Sequence, residues 1–118
     1  MSNYYIYAIL LKGCPYSDKA LNLLKTNNIK REIITITSEN KEKFKMENYY
    51  TYPQIFFKKD DSIDSLFLGG YSDLQKCIDI FKNSNTENFE NNIKDFQNNY
   101  NWWSRKAILR LIQLINHK

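Results

Sequence analysis

The sequence predicts an α/β fold in which a four-stranded mixed sheet is flanked by helices. Three observations predict it. Tyr4 to Leu11 is an unbroken apolar run without polar alternation, as in a strand buried on both faces. It leads into the helical spacing of Ala20, Leu21, Leu23 and Leu24, and then into a second strand-like run, Arg31 to Thr37. Further on, two short β-rich segments precede another amphipathic helix.

Taken in order, Tyr4 to Leu11 reads as a central strand. A helix from Pro15 to about Asn27 follows, ended by Asn27-Asn28. In the second strand Ile34 and Ile36 alternate with Thr35 and Thr37, and Ser38 is placed to cap a charged helix from Glu39 to about Glu47. Strand, helix and strand joined by ordinary loops imply a parallel pair with a right-handed crossover. Tyr52-Pro53 opens a third strand, Gln54 to Phe57, which turns through Lys58 to Ser62 into a fourth, Ile63 to Leu68. Gly69-Gly70 interrupts, and Ser72 or Asp73 is expected to cap a helix carrying Leu74, Cys77, Ile78 and Phe81 at i, i+3, i+4, i+7 spacing.

Bulk composition narrows the function classes. With 118 residues the chain can bury a core without staples, and its 42% hydrophobic and 25% charged content is that of a soluble globular domain. No apolar run approaches the roughly 18 residues of a membrane span. The stretch Met1 to Leu11 has no basic residue before its apolar run and no small-residue cleavage pattern, so no signal peptide is expected. Only two cysteines argue against a disulfide framework and for a reducing, cytoplasmic location. The one histidine, His117, offers no metal site, and none is expected. A net charge of +4, with four basic residues after Tyr100, gives no nucleic-acid partner.

The chemistry concentrates at Lys12-Gly13-Cys14-Pro15-Tyr16-Ser17, where the first strand stops and the first helix starts. Pro15 fits the first helical turn, where a missing N–H costs nothing, and this leaves Cys14 at the cap. A cysteine there faces the positive end of the helix dipole and unpaired first-turn N–H groups, with Lys12 adding a positive charge. A thiolate is the nucleophile and the leaving group of thiol–disulfide exchange, so Cys14 is the candidate catalytic residue. Ser17 occupies the place of the second cysteine of a Cys-x-x-Cys motif, which precludes a disulfide within it, and is placed to hydrogen-bond the thiolate. Cys77, on an apolar helix face, reads as core packing, with a resolving thiol as the alternative.

Three separated motifs, Gly13-Cys14-Pro15-Tyr16-Ser17, Thr51-Tyr52-Pro53-Gln54-Ile55-Phe56 and Gly69-Gly70-Tyr71-Ser72-Asp73-Leu74, resemble those of the glutaredoxin family in order and spacing. The resemblance covers about residues 4 to 83. It implies a thioredoxin-like fold for residues 1–83, with residues 84–118 as a C-terminal helical extension. It also implies a glutathione-dependent thiol–disulfide oxidoreductase of the electron-transport class, acting on glutathionylated or disulfide-containing proteins, with glutathione as co-substrate. In that family the proline corresponding to Pro53 is cis and turns the preceding backbone toward the thiol. The N–H and C=O of Tyr52 would then pair with the cysteine of glutathione, like one residue of an added strand. Gly70 would allow close approach, the Ser72 and Asp73 N–H groups would take the γ-glutamyl carboxylate, and the Asp73 carboxylate the amino group. Lys12, Tyr16 and Pro53 complete the implied glutathione site. Tyr49, Tyr50 and Tyr71 are also placed to line the groove but read as packing near a sheet edge, which leaves Tyr16 as the aromatic candidate.

The departures refine this expectation. Ser17 in place of the second cysteine points to the monothiol branch. Leu11 and Tyr50 stand where basic residues are usual, and Tyr52 where valine is usual. The Cys-Gly-Phe-Ser mark of iron–sulfur carriers is absent. The alternative function is a module holding an iron–sulfur cluster between two Cys14 thiolates and two glutathiones, or a scaffold whose tail binds a partner.

In that tail Thr86 is expected to cap a helix with a stripe of Phe89, Ile93, Phe96 and Tyr100. A second helix, about Ser104 to Asn116, spreads Ala107, Ile108, Leu111, Ile112, Leu114 and Ile115 over half its circumference, too wide for one contact. Packing on the preceding domain is the leading reading. A homodimer through residues 84–118 comes next, and a membrane-surface helix using Trp102, Trp103, Arg105, Lys106 and Arg110 is third.

Overall fold

The computed structural model describes residues 3–40, 43, 51–82 and 88–116. Its elements are β1 (Tyr4–Leu11), α1 (Pro15–Thr26), β2 (Arg31–Ile36), β3 (Gln54–Lys59), β4 (Ser65–Gly69), α2 (Tyr71–Phe81), α3 (Phe89–Asn99) and α4 (Arg105–Asn116). The sheet runs β2-β1-β3-β4. β1 pairs in parallel with β2 and antiparallel with β3, which pairs antiparallel with β4, so the sheet is mixed as expected. The apolar run of β1 has its physical reason in that position between two neighbours.

Alternate residues of β1 serve different faces. Ile6, Ala8 and Leu10 join Ile55, Phe57 and Leu68 in the main core, which α1 enters through Ala20 and Leu24 and α2 through Leu74, Cys77, Ile78 and Phe81. Ile9 joins Ile36 and Tyr52 in a smaller cluster, with Tyr7, Ile34 and Phe56 against it. Successive strand side chains point to opposite faces, so one uninterrupted apolar strand feeds both clusters.

The last two helices close the main core from within the chain. α3 contributes Ile93 and Phe96, and α4 contributes Ile108, Leu111, Ile112 and Ile115. α4 contacts β1, α2 and α3, which explains why its apolar arc is wide. Asn116 Nδ2 donates to Phe81 O at 2.9 Å, fastening the end of α4 to the end of α2. At the other end, the Arg105 guanidinium holds both Glu90 carboxylate oxygens at 2.6 and 2.7 Å.

Several local expectations need correction. β3 continues through Lys58 and Lys59, because these residues still pair with Tyr5 and Tyr4. β4 starts at Ser65 and not at Ile63, which is 97% exposed in the turn, where Ser62 N–H bonds Lys59 O. α2 is capped by Gly70, not by Ser72 or Asp73, which lie inside its first turn. Trp103 is 2% exposed and stacks on Phe57 with ring centroids 5.6 Å apart, so it is a core residue and not a membrane-facing one. Its Nε1 and that of the half-exposed Trp102 both donate to Phe67 O, at 3.1 and 2.8 Å. Of the helix expected over 39–47, only Glu39, Asn40 and Lys43 lie among the described residues, the first two in a turn; the Thr86 cap lies outside them. Among the described residues no helix is long and apolar enough to cross a membrane.

Candidate functional site

Backbone hydrogen bonds fasten the loop between β1 and α1 on both sides of Gly13. Lys12 N–H donates to Ile36 O at 2.8 Å, Cys14 N–H to Leu11 O at 3.1 Å, and Asp18 N–H to Cys14 O at 3.1 Å. Gly13 has φ +82° with nothing near the place of a Cβ, so glycine serves the turn through its backbone conformation and not through lack of space. Cys14 is the N-cap of α1 in extended conformation, followed by Pro15 at the first helical position. This is the arrangement that the Cys-Pro pair predicts.

Ser17 differs from its expected role. It is buried, and its Oγ accepts the Leu11 N–H at 3.0 Å; the Cys14 Sγ instead faces the Tyr52 carbonyl oxygen at 3.7 Å. Ser17 therefore braces the end of β1. The Tyr52–Pro53 peptide is cis, and both residues are buried at the start of β3.

A cavity of about 440 Å³ is lined by Tyr16, Thr51, Tyr52, Pro53, Gly70, Tyr71, Ser72 and Asp73; Cys14 is not part of the lining, but Tyr52, whose carbonyl oxygen its Sγ faces, is. Three elements build it. The α1 start supplies Tyr16, the approach to β3 supplies Thr51 to Pro53, and the α2 start supplies the rest. Tyr16, 58% exposed, lies against Tyr71 with ring centroids 6.1 Å apart. Six of the seven residues expected around a bound tripeptide thus share one cavity. Lys12 is exposed and does not line it.

At the α2 start, Asp73 Oδ2 accepts the Gly70 N–H at 2.9 Å. Its Oδ1 accepts the Tyr100 hydroxyl at 2.5 Å. Sequence reasoning missed Tyr100 at this place, assigning it only to an apolar stripe, and no local signal marks it, because the contact spans 27 residues. Burial and then the hydrogen bond to Asp73 push the Tyr100 pKa up, so the phenol stays a donor. Cys77 is 1% exposed. Burial first, then Asp73 and Asp79, push its thiol up as well, which keeps it a protonated core side chain.

This geometry agrees with what comparison with known proteins finds. A family model described as Glutaredoxin matches residues 4–62, half of the chain, including the Cys14 loop and the Tyr52–Pro53 turn. The chain belongs to the glutaredoxin family. Among solved structures, that of glutaredoxin 1 from Francisella tularensis complexed with cacodylate is similar, with a TM-score of 0.53 and 24% identity, over 70% of this chain and 100% of that one. The likeness establishes the thioredoxin-like fold of this glutaredoxin. The comparison with curated proteins gives no match. Thiol oxidoreductase chemistry is the general function that comes with the family, and glutathione is the thiol the family uses. Among the described residues, no group of three or more His, Cys, Asp and Glu side chains could hold a metal ion.

Proposed function

We propose that this glutaredoxin is a monothiol enzyme that removes glutathione from protein–glutathione mixed disulfides, with Cys14 as its single catalytic thiol. The observation that carries this reading is the position of the Cys14 Sγ: at the N-terminus of α1 and 3.7 Å from the carbonyl oxygen of Tyr52, a residue that lines the cavity reaching to α2.

The Cys14 thiolate attacks the glutathione sulfur of the mixed disulfide. A disulfide forms between Cys14 and glutathione, the original S–S bond breaks, and the protein thiolate leaves and takes a proton. A second glutathione thiolate then attacks the glutathione sulfur held on Cys14. Glutathione disulfide departs, and the Cys14 thiolate is restored. One glutathione thiol is thus consumed for each protein thiol released, and the disulfide bond passes from the protein–glutathione pair to glutathione disulfide.

The cavity residues would place glutathione for both steps. The Tyr52 backbone pairs with its cysteine, as an added strand residue would. The first-turn N–H groups of Ser72 and Asp73, which helix geometry leaves without helical acceptors, receive the γ-glutamyl carboxylate. The Asp73 carboxylate faces the amino group, while Tyr16 and Pro53 provide apolar walls. Since Ser17 is not a thiol, no second cysteine in the motif competes with glutathione for the intermediate. This use of free thiols fits a reducing, cytoplasmic setting.

The test is glutathione-dependent reduction of a small glutathione mixed disulfide by catalytic amounts of protein. Wild type turns over and Cys14→Ser does not. Equal rates in both, or none in either, would overturn the reading.

A further inference from the structure

Tyr100 lies beyond the end of α3, outside the residues 4–62 matched by the family model, yet its hydroxyl reaches the groove residue Asp73. The ring has little freedom to do otherwise. Tyr100 is 6% exposed, stacks on Phe96 with centroids 4.5 Å apart, and meets the Trp102 ring edge-on at 5.5 Å. Its N–H also bonds Phe96 O at 2.9 Å. The phenol is therefore a fixed donor, delivered to the carboxylate by the aromatic packing of the tail.

Asp73 is held from two sides, Gly70 N–H on Oδ2 and Tyr100 O–H on Oδ1. A carboxylate has about four acceptor positions, so two remain for a ligand, and they now point in a set direction. A bond from a neutral hydroxyl to an ionised carboxylate is among the stronger hydrogen bonds in proteins. Fixing a ligand-binding group before the ligand arrives lowers the ordering cost of binding.

We propose that Tyr100 is a positioning residue that holds the Asp73 carboxylate for a ligand's ammonium group, so that the C-terminal helical segment sets how strongly the groove prefers ligands with an amino group at that end. This rests on the assignment of the cavity to glutathione.

The experiment uses the full chain and two ligands without a reactive thiol, S-methylglutathione and its des-amino analogue, in which a glutaryl group replaces γ-glutamyl. Calorimetric titration gives the preference for the amino ligand as a ratio of Kd values. Wild type should prefer the amino ligand by about tenfold or more. Tyr100→Phe, which keeps the ring and removes only the hydroxyl, should reduce that preference about three- to tenfold while leaving the affinity for the des-amino analogue nearly unchanged. Asp73→Asn should abolish the preference.

A full wild-type preference in Tyr100→Phe overturns the proposal. So does an equal loss of affinity for both ligands together with a lowered Tm, the signature of a merely structural tyrosine. Equal binding of the two ligands by wild type overturns the ammonium contact but leaves the thiol chemistry standing. Binding of neither ligand by wild type would instead overturn the glutathione groove itself, and the proposal with it.

Discussion

The Sγ of Cys14 lies 3.7 Å from the carbonyl oxygen of Tyr52, a residue 38 positions later in the chain. The two meet because β1 and β3 are neighbours in the sheet, so the loop that ends one strand and the turn that opens the other share an edge. The Cys14 thiol and the main chain before the cis Tyr52–Pro53 bond are thereby brought together. The second cysteine is in a different situation, buried among Leu74, Ile78 and Phe81.

That contrast predicts selective alkylation. Native protein treated with iodoacetamide at neutral pH should carry one adduct, on Cys14, and a second on Cys77 only after denaturation. Peptide mass spectrometry distinguishes the two sites. Rapid native labelling of Cys77 would show that its surroundings open readily and would revive it as a resolving thiol.

Ser17 should matter more to stability than to the chemical step. Its Oγ accepts the Leu11 N–H at 3.0 Å in a buried site, and Ser17→Ala leaves that donor without its partner. The expected loss is about 1–3 kcal/mol in urea unfolding, with mixed-disulfide turnover largely retained. Ser17→Cys puts a weak sulfur acceptor at the same place and should also lose stability, while gaining a disulfide with Cys14 and the ability to reduce protein disulfides. Inactive but fully stable Ser17→Ala protein would reverse this division of roles.

Gly69 is predicted to tolerate no side chain. Its φ is +141°, and a Cβ there would collide with the Asp73 carboxylate. Gly69→Ala should cost roughly 1–3 kcal/mol through backbone strain. It should also weaken glutathione binding, because Asp73 must leave the Gly70 N–H. Gly13→Ala strains the backbone in a similar way but meets no neighbouring atom, so its effect on ligand affinity should be the smaller of the two. Calorimetric titration of both variants with S-methylglutathione tests this order.

The Glu90–Arg105 pair gives a pH signature to the tail. The hydrogen bond from Arg105 holds the Glu90 carboxyl below the ordinary glutamate value. A carboxyl lowered on folding contributes stability above its unfolded pKa and loses it as pH falls through the folded one. The Tm difference between wild type and Glu90→Gln should therefore be present at neutral pH and disappear in acid. Because the pair is solvent-exposed, the difference should be small and should shrink with added salt. A difference that grows in acid contradicts the assignment.

Much of this fold is legible in the amino-acid sequence wherever the information is local. The bounds of β1, α1 and β2, and the cap at Cys14-Pro15, depend on side-chain periodicity and on backbone preferences within a few residues. The misreadings are also local in origin. Ile63 has the character of a strand residue but lies in the turn, where hydrophobicity without a pairing partner does not make a strand. Ser72 and Asp73 have the chemistry of caps, yet Gly70 takes that place, and Asp73 reaches back to its N–H from inside the helix.

The order of the described strands and helices, the family resemblance, the place of Cys14 at the start of a helix and the lack of a second cysteine in its motif all follow from the sequence alone. Tertiary structure decided the rest: that Tyr16, Tyr52, Gly70 and Asp73 line one cavity, that Ser17 braces a strand end, that Trp103 belongs to the core, and that Tyr100 holds Asp73. The physical reason is separation along the chain. Periodicity and capping act within a turn or two of helix, whereas these contacts join residues brought together only when the sheet has paired and the last helices have closed over it.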